Sequence, residues 1–246
     1  MLPVFIQKSD SGRERVHALD IIRGALILGM IVDHAVYDCT VYLGIFPGAM
    51  EHPVRLAFHY IGAYLFVMMS GASSSISRNN LKRGFMLLGA ALAVTLVTLI
   101  FDRNSIIIFG ILHCLALCIL IYALARPLLE KIPNALAPFI WITLTAVFKY
   151  LTDTIRVESG WFWLFGFRTE SFFSADYYPL FPWLFVFFLG AWCGPYIFGH
   201  KLPEWFYKMR CGFLEKVGRW SLWIYLIHQP VVMFVVLVIK EMYFRT

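Results

Sequence analysis

Residues 19–37 read LDIIRGALILGMIVDHAVY, and the fold class is inferred first from this segment. It is long and apolar enough to cross a bilayer as a helix, yet it carries Asp20, Arg23, Asp33 and His34. A charged side chain at the bilayer centre costs at least ~2.5–3.5 kcal/mol on insertion scales, so such residues face a polar interior or a water-filled cavity. The stretch therefore predicts a transmembrane helix that contributes side chains to a functional site.

Arg23 and His34 lie eleven residues apart and project from one face of this helix. At about 100° per residue, their separation is roughly three turns plus 20°. The rise of about 1.5 Å per residue places them ~16 Å apart along the axis, about half of the ~30 Å hydrocarbon thickness. Asp20, three residues before Arg23, and Asp38, four residues after His34, have the helical spacing to hold the guanidinium and to orient the imidazole. The alternative is that these are helix-end charges that snorkel to water.

The composition places the whole chain in the membrane class. Of its 246 residues, 60% are hydrophobic and only 15% are charged, and the mean hydropathy is +0.73. Soluble domains, by contrast, are about 25% charged. No internal repeat or second domain is visible, which predicts a single domain over residues 1–246. The predicted fold is an all-α, polytopic integral membrane helix bundle with about seven spans, near residues 18–38, 54–74, 83–101, 105–126, 134–152, 178–198 and 219–239.

Lysine and arginine are distributed unequally between the two sets of loops, and this predicts the orientation. The set that includes the N-terminal tail holds Lys8, Arg13, Arg15, Arg78, Lys82, Arg83, Arg126, Lys131, Lys201, Lys208, Arg210, Lys216 and Arg219. The opposite set holds only Arg55, Arg103, Lys149, Arg156, Arg168, Lys240 and Arg245. Since cytoplasmic loops carry the excess of basic residues, the N-terminus is predicted to be cytoplasmic and the C-terminus exterior. The net charge of +6 follows from these loops, so the expected partner is the lipid bilayer and not a nucleic acid.

Four histidines fall inside the predicted spans, and two of them are predicted to share a depth. His34 lies towards the exterior end of the first span, and His59 enters the second span from the same side. Their matched depth and the nearby carboxylates favour a functional role for both. His113 and His228 lie nearer the middle of their spans, where a histidine often serves only as a hydrogen-bond partner between helices.

The same histidines leave other classes of function open, because two imidazoles at one depth are able to bind a haem. A haem-binding redox protein and a carrier for a lipid-linked sugar are therefore the alternatives to an enzyme. The five cysteines form no CxxC pair and have no zinc spacing with histidine, so no metal site is predicted. The oligomeric state stays open, and a homo-oligomer is compatible with the sequence.

At these residues the sequence resembles a superfamily of membrane acyltransferases. Arg23 and His34 match the Arg-x10-His pattern that opens acyltransferases of the acyltransferase-3 type, and SLWIYLIHQPV (221–231) is similar to their last helix. The order of motifs resembles still more closely the catalytic domain of the heparan-α-glucosaminide N-acetyltransferase family and its short bacterial relatives. The matching pieces are ALDIIRG (18–24), LFVMMSGASSSISRNNLKRG (65–84), FGILHCLALC (109–118) and PLFPWLFVFFLGAWCG (179–194).

This resemblance implies an acyltransferase of the bacterial plasma membrane. It takes an acyl group, expected to be acetyl, from cytoplasmic acyl-CoA and delivers it to a sugar or amino sugar on the exterior side. The arginine of the Arg-x10-His pattern maps onto Arg23 and its histidine onto His34. Cations are expected to bind the phosphates of acetyl-CoA. The residues expected at the donor site are Asp20, Arg23, Arg78, Lys82 and Arg83.

The general base is expected to be a histidine, because imidazole has a pKa near neutrality and can take the proton of an attacking hydroxyl or amine. Here the chain departs from the heparan-α-glucosaminide N-acetyltransferase family, in which the catalytic histidine lies past the end of the first span, beyond the position that matches His34. The corresponding stretch YLGIFPGAM (42–50) has no histidine, and His52 is the nearest. His34 is the predicted base with Asp38 as its orienting partner, and His52 and His59 remain alternatives.

Overall fold

The computed structural model describes residues 15–101 and 105–243, and within these ranges the chain is almost entirely helical. The helices are α1 (His17–Leu43), α2 (Pro53–Ser75), α3 (Asn80–Phe101), α4 (Ile111–Leu129), α5 (Ala137–Thr154), α6 (Leu180–Phe198), α7 (Glu204–Lys208), α8 (Gly212–Arg219) and α9 (Ser221–Tyr243), with short 3-10 helices at Ala49–Glu51 and Gly160–Phe165. Each of the seven predicted spans coincides with one long helix. Of the basic residues behind the predicted orientation, Lys8, Arg13, Arg103 and Arg245 lie outside the described residues.

Within the described residues, five helices are long and apolar enough to cross a membrane, namely α2, α3, α4, α6 and α9. This confirms the all-α membrane fold. The two other predicted spans carry more polar residues: α1 contains three aspartates and Arg23, and α5 contains Lys149, Asp153 and several threonines. That α1 and α5 also cross the bilayer stays a prediction.

The fourth span begins six residues later than its hydrophobicity indicates, so the predicted start at residue 105 is wrong. Gly110 has an extended backbone, with φ −86° and ψ −176°, and α4 begins at Ile111. The segment before α4 pairs with the connection that leads into α6, where the N–H of Tyr178 donates to the carbonyl of Phe109. The Asp176 carboxylate accepts from the N–H of Ile111 at 3.1 Å. The helix starts there because this carboxylate satisfies one of its unpaired N–H groups.

The described chain divides into two compact units. One contains the residues up to Phe66 together with those from His200 onward, and the other runs from Val67 to Gly199. The single domain expected over residues 1–246 stays a prediction. The boundary falls within α2, so this helix contributes its first part to one unit and its last part to the other.

In the unit that runs from Val67 to Gly199, α3 packs on α4 and α5 packs on α6. The end of α2 approaches α6 at glycines. A Cβ at Gly190 would lie 2.0 Å from the carbonyl oxygen of Met68, and one at Gly71 would lie 2.0 Å from that of Phe187. Such a close approach is the packing that small-xxx-small motifs permit between membrane helices. The motif Gly190-x-x-x-Gly194 is therefore a structural element of the helix contact.

In the unit that holds α1, both α8 and α9 pack against α1. The short helix α8 lies close to α1 because glycines face each other's backbone. A Cβ at Gly218 would lie 1.9 Å from the carbonyl oxygen of Asp20, and one at Gly24 would lie 2.2 Å from that of Leu214. This contact brings α8 beside the Asp20 and Arg23 end of α1, and α9 runs along the part of α1 that carries His34.

Candidate active site

The Arg23 end of α1 is a cluster of two guanidinium groups around one buried carboxylate. Asp20 accepts a hydrogen bond from Arg23 Nη1 at 3.1 Å, as the i, i+3 spacing predicts. Its other oxygen accepts from Arg15 Nε at 2.7 Å. Arg15 precedes the helix, so the helical spacing gave no sign of it. Two cations share one anion here, and the cluster keeps a net positive charge that suits a phosphate.

The helix α8 adds a second ionic contact at this end of α1. Glu215 accepts from His17 Nδ1 at 2.7 Å and from the backbone N–H of Cys211 at 3.2 Å. The hydrogen bond from His17 is the main cause that lowers the pKa of the Glu215 carboxyl below its usual range. The contact helps to hold α8 in place, with its glycine backbone against Asp20.

The other cations expected at the donor site belong to the second unit. Arg78 is exposed in the turn between α2 and α3, and Lys82 is exposed in the first turn of α3. Arg83 donates to Asn80 Oδ1 at 3.3 Å, and the Asn80 amide donates to the carbonyl of Ser74 at 2.8 Å. These residues form a basic turn of their own, and their role in donor binding stays a prediction.

His34 is oriented by the backbone of its own helix. Its Nδ1 lies 2.9 Å from the carbonyl oxygen of Met30. Since a carbonyl only accepts, this contact assigns the proton to Nδ1 and leaves Nε2 as the basic nitrogen. A histidine in this tautomer is able to take a proton from a substrate at Nε2.

The predicted orienting role of Asp38 is not what the structure shows. Asp38 is completely buried, and both of its oxygens accept from the Gln229 amide of α9, at 3.3 and 3.0 Å. The Nδ1 of His34 is held instead by the Met30 carbonyl one turn earlier. A backbone carbonyl at i−4 lies on the same helix face, so it competes with a carboxylate at i+4 for the same nitrogen. Asp38 therefore ties α1 to α9.

Among the described residues, His59 has a carboxylate as its hydrogen-bond partner and His34 has a backbone carbonyl. The Nδ1 of His59 lies 2.9 Å from Asp33 Oδ2, and the other oxygen of Asp33 lies 2.8 Å from Arg55 Nε. A carboxylate at Nδ1 holds the imidazole in one tautomer and stabilises its protonated form. The sequence paired His59 with His34 by depth, whereas the structure pairs it with Asp33.

The imidazole that packs against His34 is that of His228 on α9. The two ring centres are 4.9 Å apart and the rings meet edge to face. The sequence predicted that His228 lies near the middle of the last span, and it did not predict a catalytic role for this residue. Its place before Pro230 in the last span was the available signal, but the neighbour across the helix contact is not readable from helical spacing.

The remaining histidines of the prediction have structural partners. His52 directly precedes α2, and its Nδ1 accepts from the N–H of Val54 at 3.3 Å, as in a helix cap. In the second unit, His113 accepts from the N–H of Gly110 at Nδ1 and contacts the Thr95 hydroxyl at Nε2, at 3.3 and 3.2 Å. Both ring nitrogens of His113 are satisfied, so it links α3 and α4.

The arrangement therefore places a positive cluster at one end of α1 and a histidine pair, His34 and His228, farther along the same helix. It is suited to binding an anionic ligand and to removing a proton from a nucleophile. The model of the family described as heparan-α-glucosaminide N-acetyltransferase, catalytic, matches residues 15–230. No curated protein and no solved structure matches the chain. The family match confirms the resemblance seen in the motifs and covers both the positive cluster and the histidine pair. The chain belongs to the heparan-α-glucosaminide N-acetyltransferase catalytic-domain family.

Proposed function

We propose that the protein is a membrane-embedded acetyltransferase that moves an acetyl group from cytoplasmic acetyl-CoA to a sugar or amino sugar on the exterior side. The observation that carries the proposal is that a donor-binding residue and a base lie on one helix, α1. One helix holds Arg23 in a net positive cluster and His34 in the tautomer of a base, ~16 Å apart along the axis. The family match supports a transferase over the haem-binding and carrier alternatives.

The chemistry proposed for this site is direct transfer to the acceptor. The acceptor nitrogen or oxygen attacks the thioester carbonyl carbon while its proton passes to Nε2 of His34. The new C–N or C–O bond forms in this step, and the C–S bond then breaks. The sulfur leaves as the thiolate of coenzyme A and takes the proton from the imidazolium. A positioned base typically accelerates such a step by ~10²–10⁴-fold.

The proposed activity is tested by thiol release from acetyl-CoA in the presence of candidate amino sugars. Membranes that contain the protein should release thiol in an acceptor-dependent way, and matched membranes without it should not. Identification of the acetylated acceptor by mass spectrometry completes the assay. Equal thiol release from both membranes would contradict the proposed function.

Arg23 is predicted to support donor binding. Replacement by alanine should weaken acetyl-CoA binding about 10- to 100-fold, because a charge-assisted contact is lost. Arg23→Lys should recover only part of the affinity, since an ammonium lacks the planar fork of the guanidinium. Equilibrium binding of acetyl-CoA to the purified protein measures both effects.

A matched control for Arg23 is Arg126→Ala. Arg126 is predicted to lie on the same side of the membrane, and it forms an exposed ion pair with Glu130 at 2.7 Å. An exposed pair of this kind contributes ~0.3–0.5 kcal/mol on a helix, so this variant should bind acetyl-CoA like the parent. If both Arg23 variants bind acetyl-CoA like the parent, Arg23 does not contribute to donor binding and is only a helix-end charge.

The orientation of the chain is predicted from its basic loops, with the N-terminus cytoplasmic and the C-terminus exterior. Reporter fusions after Lys82 and after Lys201 should report the cytoplasm, and a fusion after Glu170 should report the exterior. An exterior signal at Lys82 would reverse the orientation and with it the side from which the donor enters.

A further inference from the structure

His228 carries a buried nitrogen, Nε2, with no hydrogen-bond partner among the described residues, and its ring packs against that of the predicted base. We propose that Nε2 of His228 binds the acceptor by accepting a hydrogen bond from the attacking amine, while His34 takes the transferred proton. This inference rests on the proposed function. It adds a second histidine that contacts the acceptor, contributed by the last helix.

In the tautomer that His228 adopts, Nε2 carries no proton and therefore accepts hydrogen bonds. The Nδ1 of His228 lies 2.6 Å from the carbonyl oxygen of Tyr225, so Nδ1 carries the proton. The residue is 8% exposed, and Nε2 has no partner within the described structure. Buried polar atoms are hydrogen-bonded in the great majority of cases, and an exception marks a place for a ligand or an ordered water.

A polar contact between α9 and α1 holds His228 opposite His34. The neighbouring residue Gln229 donates to the buried Asp38 carboxylate, which fixes the rotation of α9 against α1. The His34 ring then meets the His228 ring at a centre-to-centre distance of 4.9 Å. Each imidazole has its Nδ1 bound to a carbonyl of its own helix, so each has Nε2 as its basic nitrogen.

A groove beside α9 has His228 in its lining. It has a volume of about 840 Å³ and is lined by side chains of α1, α8 and α9. Its lining is mainly aliphatic and aromatic, with Trp220, Trp223 and Ile31 among its members. His228 and Lys216 are the two polar residues in the lining, so a hydrogen-bond donor that enters the groove meets few competing acceptors.

An attacking amine has two N–H hydrogens, so it is able to interact with the Nε2 atoms of both His34 and His228. A neutral primary amine carries two N–H bonds. One proton passes to Nε2 of His34 as the C–N bond forms, and the other N–H remains in the amide product and donates to Nε2 of His228. A hydroxyl carries a single hydrogen, which His34 takes. Loss of His228 should therefore impair an amine acceptor more than an alcohol acceptor.

The test compares His228→Leu and His228→Gln in the full-length protein, with glucosamine as the probe. The leucine variant should raise the KM for glucosamine about tenfold, as expected for one lost hydrogen bond, while the KM for acetyl-CoA stays constant. The glutamine variant keeps an oxygen acceptor near the place of Nε2 and should recover most of the affinity. Val235→Leu, at an exposed position of α9 outside the groove lining, is the control for changes in the helix.

Equilibrium binding of glucosamine without acetyl-CoA separates this proposal from the proposed function. Parent-like binding and KM in His228→Leu would overturn the role of His228, even if acetyl transfer is observed. Equal loss in the leucine and glutamine variants would also overturn it, since a hydrogen-bond acceptor would then not be what matters. If the parent protein transfers no acetyl group but its glucosamine binding depends on His228, the acceptor site stands and the transferase function fails.

Discussion

His34→Ala should lower turnover by about 10²–10⁴-fold, which is the usual contribution of a positioned general base. The expected loss is in kcat, because the side chain takes the proton only as the new bond forms. The affinity for acetyl-CoA should stay near that of the parent, since the positive cluster around Asp20 lies elsewhere on α1. Steady-state rates with acetyl-CoA and an amino sugar, together with donor binding, measure both quantities.

Two variants serve as comparisons for His34. His59→Ala removes the imidazole that Asp33 orients, and it should have the smaller effect, because the Arg-x10-His pattern singles out His34. Asp38→Asn leaves the base in place but weakens the contact with Gln229, so its loss should also be smaller. If His59→Ala abolishes turnover while His34→Ala preserves it, the base is the imidazole paired with Asp33 and the assignment to His34 is wrong.

Gly218→Ala should destabilise the unit that contains α1 by about 1–3 kcal/mol, the usual cost of an overpacked contact. The added Cβ would lie 1.9 Å from the carbonyl oxygen of Asp20, and neither backbone is able to yield without moving a helix. Displacement of α8 would also disturb the Asp20 and Arg23 cluster, so acetyl-CoA binding should fall with stability. The midpoint of heat-induced unfolding of the purified protein and the donor affinity are the measurements.

Gly212→Ala is the matched control, because it lies in the same short helix and an added Cβ there meets nothing within 4 Å. This variant should be neutral or slightly stabilising, since alanine favours a helix over glycine. Gly24→Ala, whose Cβ would lie 2.2 Å from the Leu214 carbonyl oxygen, should resemble Gly218→Ala. The double variant should cost less than the sum of the two, because both changes displace one contact. A parent-like midpoint for Gly218→Ala would show that α8 is not packed on α1 in this way.

Much of the fold was readable from the sequence because membrane helices are local structures. Hydrophobic length sets where a span begins and ends to within a few residues, and all seven segments are helices. The late start of α4 at Ile111 could not be foreseen, because its first N–H binds Asp176, which is distant in the chain. The small-residue motif at Gly190 and Gly194 indicated close helix contact, although not which helix it meets.

The candidate site could be predicted from the sequence only in part. Contacts between residues a few positions apart were predictable, and contacts between residues far apart in the chain were not. Helical periodicity alone predicts which residues share a face and how far apart they lie. It therefore placed Arg23 next to Asp20, and the structure contains that ion pair. The same rule suggested Asp38 for His34, but a backbone carbonyl, present at every helical position, took the imidazole nitrogen instead.

The membrane class, the helices, the family and the positions of Arg23 and His34 along one helix are all encoded locally and follow from the sequence. The partners of these residues are known only from the folded chain: Gln229 for Asp38, Asp33 for His59, and His228 for His34. Partners across helices depend on the rotation of each helix about its axis and on which helices touch. Those are set by close packing at small residues such as Gly24 and Gly218, and no local pattern encodes them.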